Sequence, residues 1–125
     1  MTTPRPPRIK ICGLTGLDDA QRAVEAGAWA LGLILFSGSP RRCPLPAAER
    51  ISGALRRQAE ICGVFVNAPL DEVTGVADAI EATHPYAVDT ASGTEARPGV
   101  KDPEKLRAFA AAVAATAPEL AQEPA

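Results

Sequence analysis

The sequence has little that would draw it to another macromolecule. Thirteen Lys and Arg stand against fifteen Asp and Glu, a formal net charge of −2 at pH 7. No basic field is there to gather nucleic acid or an anionic membrane surface, so neither is expected as a partner. Aromatic residues make up only 4%, so alanine and the aliphatics must fill the core and stability margins should be thin. The longest apolar run, ALGLILF at 30 to 36, is too short to cross a bilayer and follows a charged segment rather than opening the chain. Nothing reads as a secretion signal. There is one histidine, and the three cysteines are widely spaced with no metal-ligand pattern. Reduced thiols, no bound metal and a cytoplasmic location are therefore expected.

What is present is a repeating unit. RIKIC at 8 to 12 has the alternation of a short strand, ended by Gly13; Asp18 and Asp19 then suit the positive end of a helix carrying Ala20, Ala23 and Val24, with Gly27 as its left-handed cap. WALGLILF at 29 to 36 is the near-continuous apolar run of a parallel strand covered on both faces. After the loop SGSPRRCPL, Pro46 opens a helix with Ala48, Ile51 and Leu55 on one stripe. EICGVFVN at 60 to 67 is a third strand with Cys62 as a core residue, and Val73, Val76, Ala77 and Ile80 are the buried stripe of a third helix. YAVDTAS at 86 to 92 is a fourth strand, and Asp102-Pro103-Glu104 starts a last helix bearing Leu106, Phe109, Ala110 and Val113. His84 falls in the loop before that fourth strand, with no acid or second histidine to make it catalytic.

Strict alternation of strands and helices predicts the α/β class, a parallel sheet of about four βα units with ligand chemistry at the C-terminal ends of its strands. One domain over 8–115 is expected, with 1–7 and 117–125 as disordered tails. A closed eight-stranded barrel of such units needs at least about 200 residues, and this chain has 125. A partial, half TIM barrel is the architecture that fits.

The loops to weigh begin at Cys12, Phe36, Asn67 and Asp89. Cys12, before Gly13, could exchange a proton with a substrate carbon if nearby donors or cations lower its pKa; taken alone it reads first as a core or incidental thiol. Arg41 in SGSPRR could pair with a carboxylate in bidentate fashion or simply decorate a solvated turn. Ser92 and Gly93 offer the hydroxyl and free N–H groups of an anion nest, with Asp89 toward the same site; the alternative is a Gly-rich turn.

Taken in order, KICGLT, GAWALGLILFSGSPRRC, EICGVFVN and AVDTASGTEARPGVKD closely resemble the phosphoribosylanthranilate isomerases of tryptophan biosynthesis, over about positions 8 to 115. That resemblance implies an Amadori rearrangement of N-(5'-phosphoribosyl)anthranilate, a phosphosugar substrate, and no metal or cofactor. It makes Cys12 the general base at ribose carbon 2, Arg41 the holder of the anthranilate carboxylate, Asp89 a substrate contact, and Ser92 with Gly93 half of the phosphate site. The family's general-acid aspartate, its Gln-Leu-His-Gly strand and the Gly-Gly half of the phosphate clamp have no counterpart here, as if the first three units were joined to the last. An impaired isomerase is the expected outcome. The alternative is a noncatalytic α/β module that binds an anion or oligomerises, and a homodimer through exposed sheet edges is expected on either reading. The short link ATHP predicts strand order 1-2-3-4, with the fourth strand beside the third.

Overall fold

ALGLI, the most apolar stretch of the sequence, is strand β2 (Ala30–Ile34), and all five of its residues are buried. In the computed structural model, which describes residues 5–35, 39–65, 73–90 and 94–116, it is flanked by β1 (Lys10–Cys12) and β3 (Glu60–Phe65), and β4 (Ala87–Thr90) lies beyond β3. The four strands form one parallel sheet in the order β1-β2-β3-β4, as the short link before β4 predicts. The inner strands are buried and the outer β1 is exposed along its length, the profile of an open sheet.

Helices α1 (Leu17–Glu25), α2 (Leu45–Leu55) and α3 (Val73–Thr83) connect successive strands, and α4 (Pro103–Ala114) follows a hairpin of β5 (Glu95–Arg97) and β6 (Val100–Lys101). Helix α1 ends as its glycine demands: Gly27 has φ +101, its N–H bonds the Val24 carbonyl, and the Ala28 N–H reaches back to Ala23, a Schellman closure. Helix α2 begins one residue before the expected Pro46, with Pro44 as its cap. Ala48, Ile51 and Leu55 are buried as their spacing predicts, and so are Val76 and Ile80 of α3. The side chains of Val73 and Ala77 lie outside the described residues. His84 sits in the loop at φ 46, its N–H closing the end of α3 on the Ile80 carbonyl.

Two differences from the sequence expectation concern the C-terminal part. Between the fourth strand and the last helix, where no strand was foreseen, Glu95 pairs with Lys101 and Arg97 with Val100 in an antiparallel hairpin about Pro98-Gly99. Helix α4 starts at the expected cap, the Asp102 carboxylate accepting from the Glu104 and Lys105 N–H groups. Its buried stripe, however, is rotated: Ala112 and Thr116 are buried with Phe109 and Val113 packed beside them, while Leu106 stays 44% exposed and Ala110 is exposed. Lys105 donates to the Glu95 carbonyl at 2.9 Å. That bond ties the start of α4 to the hairpin.

The helices pack on one face of the sheet. Leu31, Leu33 and Ile61 meet α1 and α2 through Ala20, Ala23, Ala48, Ile51 and Leu55. Phe65 meets α3 and α4, with Phe109 edge-on at 6.0 Å between ring centroids, a contact worth about 0.5–1.5 kcal/mol beyond its buried area. Ser52 of α2 donates to the Thr83 carbonyl at the end of α3, tying the two helices through a buried bond. On the opposite face, Ile34, Cys62 and Val64 form a smaller cluster made of strand residues alone. The expected tail at 117–125 lies outside the described residues, as does the start of the N-terminal one.

Candidate active site on the strand face

Lys10 Nζ and Asp89 Oδ2 meet at 3.0 Å although they stand on the two outer strands. In a flat sheet three strand spacings of about 4.8 Å would separate β1 from β4, more than a Lys and an Asp side chain together span. The sheet is therefore curled toward this face, as the wall of a barrel is.

Register decides what lines the concave side. Cys12, Gly32, Cys62 and Ala87 stand in one row across the four strands, and Asp89 stands in a row with Val64 and Ile34. Residues two apart on a strand share a face, so Lys10, Cys12, Gly32, Cys62 and Asp89 all belong to the side opposite the helices. Gly32 is what lets them gather. A Cβ at that position would stand 2.8 Å from Cys12 Sγ, 3.0 Å from Lys10 Cε and 3.1 Å from Cys12 Cα; the thiol and the lysine stem occupy the space a side chain would fill.

The electrostatics follow from this packing. Burial works against the Lys10 ammonium, but the Asp89 hydrogen bond and the charges of Cys62, Cys12 and Asp89 more than offset it, and its pKa lies above the ordinary lysine value. Burial pushes the Cys62 thiol up, with Lys10 opposing and Asp89 and Cys12 adding to the rise. Cys62 is thus a buried, protonated neighbour. Cys12 is the one exposed cysteine of the three.

The loop after β2 delivers Arg41. The Cys43 N–H bonds the Ile34 carbonyl at 2.7 Å, and the Arg41 N–H and Arg42 N–H bond the Ser39 hydroxyl and carbonyl. This folds the loop back so that Arg41 Cδ lies 3.4 Å from the Cβ position of Gly13, the residue after Cys12. Among the described residues the Arg41 guanidinium has no carboxylate partner. Of the residues singled out in the sequence, the fold thus brings Cys12, Asp89 and Arg41 to one region, while Ser92 and Gly93 lie outside the described residues. Lys10 and Gly32 were not foreseen. The available signal was a lysine two positions before Cys12 on the same strand face.

Among the described residues no group of three or more His, Cys, Asp or Glu side chains is arranged to hold a metal, and no helix is long and apolar enough to cross a membrane.

A family profile described as N-(5'phosphoribosyl)anthranilate (PRA) isomerase matches residues 9–80. The chain belongs to the phosphoribosylanthranilate isomerase family. The N-(5'-phosphoribosyl)anthranilate isomerase of Citrifermentans bemidjiense is 51% identical over 71 residues, 57% of this chain and 34% of that protein. The isomerase of Rubrobacter xylanophilus is 45% identical over 73 residues, 58% of this chain and 35% of its own length. The chain thus spans about a third of the length of the curated relatives it matches. A crystal structure of phosphoribosyl anthranilate isomerase from Thermus thermophilus aligns with 87% of this chain and 99% of its own at 27% identity, with a TM-score of 0.49. The isomerase profile takes in Lys10, Cys12, Gly32 and Arg41 and stops before Asp89, Ser92 and Gly93.

Proposed function

We propose that this chain carries phosphoribosylanthranilate isomerase chemistry on its strand face, acting on N-(5'-phosphoribosyl)anthranilate with neither metal nor cofactor. The observation that carries the reading is the seating of Arg41 against Gly13, next to Cys12. The stem of Arg41, suited to bind a carboxylate, thereby lies on the residue next to Cys12, suited to accept a proton. Family membership supports assigning them those tasks.

In this reading the Arg41 guanidinium grips the anthranilate carboxylate, Ser92 and Gly93 receive the phosphate, and Asp89 contacts the ribose portion between them. Once the furanose ring has opened to the iminium, the Cys12 thiolate takes the proton from carbon 2; the resulting enolamine then relaxes to the ketose. Ring opening needs a proton at the furanose oxygen. The family's acid for that step has no counterpart in this sequence, and losing a positioned acid typically slows a reaction by about 10²–10⁴-fold. The chain on its own is therefore a binder of the substrate and a slow isomerase. Its three cysteines are free thiols, which suits a reducing cytoplasm.

Titration with a reduced, unreactive analogue of the ketose product tests the binding half. The chain should bind it, and Arg41→Ala should weaken binding at least about tenfold, the loss expected of one charge-assisted pair. Equal binding by the variant would remove Arg41 from the site.

A second reading, that the module oligomerises, draws on a separate observation. Neither β1 nor β4 has a further neighbour among the described strands, and Ile9 and Ile11 at β1 and Leu106 on α4 are exposed. Two copies related by a two-fold axis, β4 of each against β1 of the other, would close an eight-stranded ring and remove both edges.

A further inference from the structure

Lys10 and Cys12 leave β1 on the same face, and both reach over the bare backbone of Gly32. Cys12 Sγ and Lys10 Cε lie within 3.0 Å of one point, the place a Cβ on residue 32 would take. The Lys10 ammonium donates to Asp89, on the opposite edge strand but the same face, at 3.0 Å.

We propose that Lys10 is the positioning residue of this site: its ammonium, fixed by Asp89 above Gly32, stabilises the Cys12 thiolate and keeps that base available for the proton transfer. The proposal rests on the reading of Cys12 as the proton acceptor. A cation beside a thiol favours the thiolate, and only the thiolate can accept a proton or attack an electrophile. Lys10 is well suited to the task, since its neighbours hold its pKa above the ordinary lysine value and it is charged at neutral pH. Asp89 then has a part beyond touching substrate. It tethers the cation on the concave side, and Gly32 supplies the floor on which the lysine stem and the thiol meet.

The test reads the thiol directly. Uncharged iodoacetamide is added to the full chain at pH 7.5, and alkylation of the peptide holding Cys12 is timed by mass spectrometry; Cys43 is buried and serves as the internal control. Lys10→Met and Lys10→Gln should slow Cys12 labelling at least about threefold, the effect of one unit charge at this range in a water-like medium, and Lys10→Arg should stay near the parent rate. A merely structural role predicts the reverse, because a loosened site exposes the thiol and speeds its reaction. Labelling of both neutral variants at the parent rate would overturn the proposal, as would Lys10→Arg slowing as much as they do. No substrate enters this experiment, so it fails or succeeds separately from the isomerase reading, which the analogue titration decides.

Discussion

Lys10 and Asp89, on strands that never touch, are joined by an ion pair of 3.0 Å across the concave face of the sheet. The pair is half open to water, with side-chain exposures of 31% and 51%, so its direct contribution to stability is no more than about 1 kcal/mol. Its meaning is geometric. It spans the curl of the sheet and sets a cation over the row that holds Cys12, Gly32 and Cys62.

Gly32→Ala should damage this arrangement, since of the described glycines it alone would place a Cβ under 3.0 Å from another atom. The new Cβ would meet Cys12 Cα, which is backbone and cannot move aside alone. Overpacking of this kind costs about 1–3 kcal/mol. Urea unfolding should show that loss, and Cys12 labelling should change with it; Gly53→Ala, where a Cβ meets nothing within 4 Å, is the control and should not destabilise.

Much of the fold was legible because the two central strands are distinct apolar runs and each of the first three helices has a clear stripe. Leu31 and Leu33 could only belong to a strand buried on the helix side, and Asp102-Pro103 could only start a helix. The hairpin was not legible: TEARPGVK has too few apolar residues for a strand pattern, and its pairing is stabilised by Lys105 and by the Asp102 N–H bonded to the Thr94 carbonyl. Missing it also misplaced the α4 stripe onto Leu106. In the candidate site, Cys12 and Arg41 were singled out from the motifs. Lys10 was not, because on a flat edge strand it is an ordinary solvated charge, and only the curvature of the sheet gives it a partner 79 residues away.

Alkaline pH should weaken the fold. Burial raises the Cys43 and Cys62 thiols above the ordinary 9.0, and Lys10 lies above 10.5. For a group whose pKa is higher in the folded chain, the stabilisation is complete below the unfolded value and disappears as pH climbs through the folded one. Stability measured by urea under reducing conditions should therefore hold to about pH 9 and then decline, the thiols acting first and Lys10 above 10.5. Cys62→Ala should flatten the first part of that decline; an unchanged slope would contradict the burial of this thiol.

The exposed edges lead to a mass measurement. Light scattering at tens of micromolar should give a dimer, with β4 of each copy on β1 of the other. Ile11→Arg, on the exposed β1, should shift it toward monomer. A well-folded monomer of the parent chain at that concentration would refute the ring.

The most direct test of the account is conversion of N-(5'-phosphoribosyl)anthranilate itself, followed by the fluorescence of the anthranilate group with the purified chain alone. The chain should convert it at a rate at least about a hundredfold below that of a full-length isomerase, the deficit set by the missing acid. Conversion at the full-length rate, abolished by Cys12→Ser, would mean that another residue of this chain supplies the proton and that the site is complete.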